Sequence, residues 1–279
     1  MIADCHMHMI LDGVDWKNAI ARHTAGPDMD YIRRVLATYR QMGITYLRDG
    51  GDRWGAGAAA RRIAPEYGII YRTPLAPLCM AGHYGAFIGE AYEDLRQYAA
   101  CVVQHRENGA DFIKIMISGL MDFNHFGVLT EEGLPPALIR ELIHIAHEEG
   151  MAVMAHANGA KTVEAAASAG VDSVEHGAYL DEGALAAMAE NGTVWVPTLS
   201  TVGNLRGRGR FCEAAVQAIL ESVLENLSRY KGLVAPGTDA GAWAVPHGCR
   251  TEYSLLASIL GDRAEAVLAA GAEEIVRRF

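Results

Sequence analysis

The sequence has 279 residues, 51% apolar and 21% charged, with 24 basic against 34 acidic side chains and a net charge of −10. So much apolar surface excludes disorder as the main state, and the acidic balance argues against nucleic-acid or anionic-membrane partners, which call for basic patches. No run of 18 uncharged apolar residues exists, which argues against a spanning helix.

In chain order, short β-branched or apolar runs fall at 2–5, 44–47, 69–75, 112–117, 152–155, 173–174, 194–197 and 233–235. Between them lie Ala/Glu/Arg-rich stretches with helical spacing, at 31–42, 90–108, 136–149, 161–169, 182–190 and 212–230, with a closing helix over 252–278. Several helices stop at a glycine followed at once by the next strand, as at Gly150, Gly170 and Gly192, where glycine supplies left-handed cap geometry. Strands alternating with helices imply a parallel sheet with helical crossovers. Eight such units in about 250 residues predict an α/β fold of the (β/α)8 TIM barrel type, as a single domain over 1–279. An open doubly wound sheet is the alternative, weakened because no GxGxxG follows the first strand. The stretch 203–210, Gly-Asn-Leu-Arg-Gly-Arg-Gly-Arg, reads as a loop.

Cys5, Cys79, Cys101, Cys212 and Cys249 are odd in number, widely spread and without a CxxC pair. That pattern suits reduced thiols better than a disulfide framework. The opening residues lack the basic and long apolar regions of a signal peptide, so the expected location is cytoplasmic.

In such a barrel, function gathers at the carboxyl ends of the strands. The first strand ends in His6 and His8; side chains two apart on a strand project to one side, roughly 7 Å apart for a rise of about 3.3 Å per residue, and can share a metal ion. An HxH pair alone could equally be two unrelated polar residues. Lys114 sits within an apolar run on the fourth strand, where an unpaired ammonium is expensive to bury. It either snorkels out, pairs with a carboxylate, or is carbamylated into a bridging ligand. His156 and His176 end the fifth and sixth strands, and Asp239 follows the eighth between small residues. Singly these read as structural histidines and a turn-forming Asp; together they deliver metal-competent groups from five strands to one rim. His23, His105, His144 and His147 lie on helical or loop stretches and read as surface or packing residues.

The segments 4–8, 112–116, 154–157, 170–177, 196–200 and 237–241 resemble the amidohydrolase superfamily, and within it the imidazolonepropionase and prolidase-like branch of metal-dependent hydrolases. The resemblance covers nearly the whole chain. It implies a binuclear site, usually zinc, with His6, His8 and Asp239 on one divalent ion, His156 and His176 on the other, and carbamylated Lys114 bridging them; a single ion remains the alternative. It further implies a hydroxide nucleophile at the metals, with Asp239 as general base. The TatD-like deoxyribonucleases open with a similar HxH, but carry a glutamate where this chain has Lys114. Long members of the branch also carry a small β-sandwich domain, which this chain is expected to lack. Ser118-Gly119-Leu120 replaces a Gly-Gly step expected after the fourth strand.

On the substrate side, Gly82-His83-Tyr84-Gly85 resembles a substrate-facing Gly-His-Gly segment of the branch, so His83 is a candidate catalytic donor to the carbonyl or its oxyanion. Arg206, Arg208 and Arg210 either clamp a substrate carboxylate or form a solvated basic loop, and Trp243 and His247 are candidate pocket walls. The expected function is metal-dependent hydrolysis of a C–N bond in a small-molecule substrate (amide, lactam or short peptide). Lactone opening, heterocycle deamination and a non-catalytic metal-binding barrel are the alternatives. Self-association, covering apolar surface left by the absent sandwich domain, is a further expectation.

Overall fold

In the computed structural model, which describes residues 2–279, β1 (Ala3–Met7) is buried along its whole length. It pairs in parallel with β2 (Tyr46–Asp49), which pairs with β3 (Ile70–Arg72). A second parallel sheet runs in the order β5 (Glu90–Tyr92), β4 (Leu78–Met80), β6 (Ile113–Met116), β7 (Val153–Ala157), β8 (Ser173–His176), β9 (Val194–Val196). Strands buried on both faces read as continuous apolar runs, not as alternation, which is the texture of 112–117 and 152–155.

Contacts at two junctions link these sheets in a TIM-like barrel arrangement. At one, Asp111 N donates to Thr73 O at 3.0 Å. At the other, the segment 233–240 lies between β9 and β1. Val234 bridges Trp195, while Cys5 N donates to Pro236 O at 2.8 Å and Asp239 N to His6 O at 2.7 Å.

Around the strands lie α1 (Trp16–Ala21), α2 (Met29–Gln41), α3 (Ala56–Ile63), α4 (Leu95–Glu107), α5 (Pro136–Glu148), α6 (Ala160–Ser168), α7 (Glu182–Glu190), α8 (Ser200–Gly203), α9 (Glu213–Arg229), α10 (Thr251–Leu260) and α11 (Ala264–Arg278). Aspartates cap several N-termini; Asp28, Asp94 and Asp181 each accept from the amide three residues on, satisfying donors the helix leaves free. Gly150, Gly170 and Gly192 have φ of +72°, +84° and +68°, the left-handed geometry expected of helix stops. No helix is long and apolar enough to cross a membrane among the described residues.

Four elements differ from the sequence expectation. The strand predicted over 69–75 stops at Arg72 and resumes as β4, because Pro74 and Pro77 have no N–H to give a ladder and Leu75 turns to φ +68°. The helix predicted from 90 begins at Leu95, since 90–92 add an edge strand to β4 and Asp94 caps the helix. The strand predicted over 233–235 forms one isolated bridge, Val234 to Trp195, and no ladder, as Pro236 lacks a donor. The closing helix breaks at a 3-10 turn, Gly261–Arg263, into α10 and α11.

Inside the barrel the lower layer is apolar. Phe279 meets Phe112 edge to face at 5.2 Å, and the buried Arg48 guanidinium lies 4.4 Å from the Phe279 ring. Above this layer the interior turns polar.

Candidate metal centre

The two-residue period of β1 turns His6 and His8 to one side, with their Nε2 atoms 3.3 Å apart. Asp239 joins them because the backbone of 239–240 is laced to β1: Asp239 N donates to His6 O and His8 N to Ala240 O, both at 2.7 Å. Its Oδ1 then lies 3.6 Å from His6 Nε2 and 3.3 Å from His8 Nε2. Ligand atoms of the three residues all fall within 4.8 Å of one another. Small neighbours make this approach possible. A Cβ at Gly50 would sit 2.1 Å from His8 Cε1, and one at Gly237 2.9 Å from His6 Cβ.

β7 and β8 supply the other half. His156 and His176 have ring centroids 4.5 Å apart, and His176 lies 5.2 Å from His6. Lys114, from β6, is buried, and its Nζ has no hydrogen-bond partner among the described residues. In each of three histidines one ring nitrogen lies against a protein oxygen. His156 Nε2 donates to Gly119 O at 3.2 Å, His176 Nδ1 is 2.6 Å from Thr198 Oγ1, and His6 Nδ1 is 2.8 Å from Glu175 Oε2. Fixing one nitrogen sets the tautomer and aims the other, as metal-binding imidazoles require.

The electrostatics favour neutral donors. Burial, with Lys114 adding to it, pushes His6 down to about 4 and His156 to about 3; burial and the His156 ring push His176 well below its ordinary value. Burial would raise Asp239, but the imidazoles of His6 and His8 hold it below the usual carboxylate range. Burial also lowers Lys114 to about 8, partly opposed by Glu175. Neutral imidazoles, an ionised carboxylate and a readily deprotonated amine are the forms that bind a cation.

Backbone strain collects at the same place. His176, Thr198 and Asp239 have φ of +71°, +48° and +53°, a region costly for residues with a Cβ. Each lies where a strand turns into its loop, so the strain aims the side chain inward.

Three supporting residues of this arrangement, and one beneath it, have no local sequence pattern of their own. Glu175 stood inside the matched segment 170–177, next to His176. Thr198 likewise sits in 196–200. Asn158 ties loops together: its N accepts nothing but donates to Ser118 Oγ at 2.8 Å, its Nδ2 donates to Gly119 O at 3.1 Å, and its Oδ1 accepts from Ala178 N at 3.0 Å. Arg48 was hidden by its neighbours Tyr46 and Leu47, which read as plain strand.

Residues 29–248 match the model of the Amidohydrolase family. The chain belongs to that family. An ochratoxinase from Aspergillus niger is 26% identical over 277 residues, covering 84% of this chain and 55% of the relative. The chain therefore spans about half the length of the curated relatives it matches. Among solved structures, a prolidase complexed with N-methylphosphonate-L-proline has a TM-score of 0.78 at 22% identity, covering 99% of this chain and 74% of that one. A Xaa-Pro dipeptidase with bound methionine has a TM-score of 0.74 at 21% identity, covering 99% and 75%.

In this member of the family the six metal-competent residues form the floor of a cavity of about 700 Å³. Its walls are mostly apolar, with Trp16, Phe87, Phe123, Phe211 and Trp243 prominent. Tyr84 lines it, with its ring 4.9 Å from His156. The neighbouring His83 is absent from the lining and pairs through Nδ1 with Glu131. Of the three loop arginines, Arg210 lines the cavity and stacks 4.2 Å from the Trp243 ring. Arg206 and Arg208 turn back on Gly203 O and Asn204 O. His247 is away from the lining, between Tyr39 OH and Leu11 O.

Proposed function

We propose that this chain is a metal-dependent hydrolase of a C–N bond in a small, largely apolar amide, lactam or short peptide. The observation that carries this reading is the convergence of His6, His8 and Asp239 within 4.8 Å on a floor shared with His156, His176 and Lys114. The donor set fits divalent cations. An Asp239 Oδ1 and a buried Lys114 Nζ, both without a hydrogen-bond partner among the described residues, are costly unless something completes them. His6, His8 and Asp239 would hold one ion and His156 and His176 a second. Lys114 would bridge them once its neutral amine has added carbon dioxide and shed a proton, converting a buried cation into a carboxylate-like ligand. When bound, such ions lower the pKa of a water and polarise the scissile carbonyl.

The chain's own residues supply the remaining steps. Asp239, ionised and directed at the floor, accepts a proton from the attacking water and delivers it to the leaving nitrogen. Tyr84 and His83 are the two candidates for a donor to the carbonyl oxygen, and the cavity lining favours Tyr84. The aromatic walls suit an apolar portion of the substrate, while Arg210 suits an anionic group at the mouth. The names prolidase and Xaa-Pro dipeptidase among the structural relatives support an amide or peptide bond.

The test is metal analysis of protein kept from chelators, joined to turnover of a panel of N-acyl amino acids, lactams and lactones. Asp239→Asn is expected to retain metal while kcat falls by about 10²–10⁴. Unchanged turnover would remove Asp239 as the base; well under one ion per chain would sink the metal reading. A lactone turned over faster than every amide would move the assignment to an ester.

A further inference from the structure

Beneath the metal donors lies a charged network wholly shielded from solvent. Arg48, Ser173 and Glu175 are each 0% exposed. Arg48 spends its donors on three acceptors: Nε on Cys5 O at 2.7 Å, Nη1 on Ser173 Oγ at 2.9 Å and Nη2 on Glu175 Oε1 at 2.8 Å. Ser173 Oγ in turn donates to Glu175 Oε1 at 2.6 Å. One carboxylate oxygen is thus fully occupied. The other, Oε2, lies 2.8 Å from His6 Nδ1, at ion-pair distance but outside hydrogen-bond geometry, and neither atom has another partner among the described residues.

A buried ion pair is weak as a stabilising device, because desolvation of both ions offsets their attraction, and apolar replacements of similar volume are often as stable. The layer directly below, Phe112 and Phe279, is already apolar, so this position offers no stability reason for charge. The direction of the network is more informative. Arg48 Nη2 and Ser173 Oγ both hold Glu175 Oε1, and the other carboxylate oxygen is aimed at one ring nitrogen of one metal donor. His8, the other histidine of β1, meets a carboxylate only through Nε2, at Asp239, and has none beside Nδ1 among the described residues. The two donors are therefore built unequally, one locked and one free.

We propose that Glu175, clamped by Arg48 and Ser173, is a positioning residue for His6. It accepts the Nδ1 proton, so the Nε2 lone pair is directed at His8 Nε2 and Asp239 Oδ1, and it makes that nitrogen a stronger donor to a divalent cation. The role rests on the metal reading above.

Zinc alone, titrated into chelator-treated protein against a competing chelator, tests it. Glu175→Gln is expected to weaken zinc binding about 10–100-fold. So is the double variant Arg48→Met with Glu175→Leu, which removes both charges together and leaves the metal-free melting temperature at or above that of the parent. Parent-like zinc affinity in both variants would overturn the role. A second arm needs no variant. In metal-free parent protein labelled with ¹⁵N-histidine, His6 is expected as the Nδ1-protonated tautomer, and an Nε2-protonated ring would overturn the role. Failure of the parent chain to bind zinc would overturn the metal centre, and this role with it. Zinc bound equally well by parent and variants would overturn the positioning role alone.

Discussion

On the floor of the cavity, His6, His156 and His176 each have one ring nitrogen engaged by a carboxylate, a carbonyl or a hydroxyl. At its mouth, Trp16 meets Phe87 at 5.5 Å and Phe211 meets Trp243 at 5.8 Å, ring against ring with no polar tether, and Trp16 is 49% exposed. Floor residues come from strand ends whose register leaves one position for each side chain. Mouth residues come from loops and from the first turn of α1, and their contacts are non-directional. The difference separates two kinds of effect. A change at the floor alters which atoms converge, and registers in metal content and kcat. A change at the mouth alters how well a ground-state substrate is held, and registers in KM.

The hardest test of this division uses a residue with no chemistry of its own. Gly50 follows β2, and its missing side chain is the space that the His8 ring fills, since an added Cβ would come within 2.1 Å of His8 Cε1. Gly50→Ala is expected to swing His8 out of line and lower kcat by about 10² or more, with zinc weakened in step. Equilibrium dialysis and steady-state kinetics check it. Parent-like zinc binding would mean that the floor tolerates displacement and is less rigidly built than its contacts imply.

Lys114 tests the floor from the side of stability. Its folded pKa, about 8, lies below the ordinary 10.5 because burial penalises the ammonium. In metal-free protein the charged form therefore weakens the fold below pH 8, and stability is regained as pH rises from about 8 towards 10.5. Lys114→Met removes that cost and is expected to stabilise the metal-free chain at pH 7 by up to roughly 3 kcal/mol. The two proteins should converge near pH 10. Denaturant unfolding at both pH values reads the difference; a methionine variant less stable at pH 7 would show that the ammonium is well paired.

At the boundary of floor and mouth stand His83 and Tyr84. Tyr84→Phe is expected to lower kcat about 10-fold to 10²-fold with little change in KM, the cost of losing one donor to the oxyanion. His83→Asn is expected to change kcat less than about threefold, because His83 faces Glu131 and lies outside the cavity lining. The reverse order would return the donor role to His83 and place Tyr84 among the walls.

The floor was more legible in the sequence than the mouth. His6, His8, Lys114, His156, His176 and Asp239 were readable because each ends or interrupts a strand, and a barrel sends all strand ends to one rim. What supports them was not, since Glu175 and Arg48 meet across 127 positions and no local pattern announces such a contact. Strands were legible where both faces are buried, and lost where Pro74, Pro77 and Pro236 interrupt the ladder. Among the loop residues, sequence offered three equivalent arginines, and backbone geometry distinguishes them.

That distinction gives the smallest expected effect. Arg206 and Arg208 turn their guanidinium groups back on Gly203 O and Asn204 O, whereas Arg210 lies over the Trp243 ring, 4.2 Å from its centre, and lines the cavity. Stacking holds a guanidinium without using its in-plane donors, so Arg210 is arranged to meet an anion. Being exposed, it acts through screened contacts of modest strength. Arg210→Gln is expected to raise KM about 10-fold for an amide bearing a carboxylate and under about twofold for the same amide with that group blocked, with kcat unchanged in both. Arg208→Gln should leave both substrates within about twofold. Added salt should weaken the carboxylate substrate in the parent and not in the Arg210 variant. Equal KM shifts for the charged and blocked substrates would make Arg210 a wall residue acting through Trp243, and would leave the mouth purely apolar in its selection.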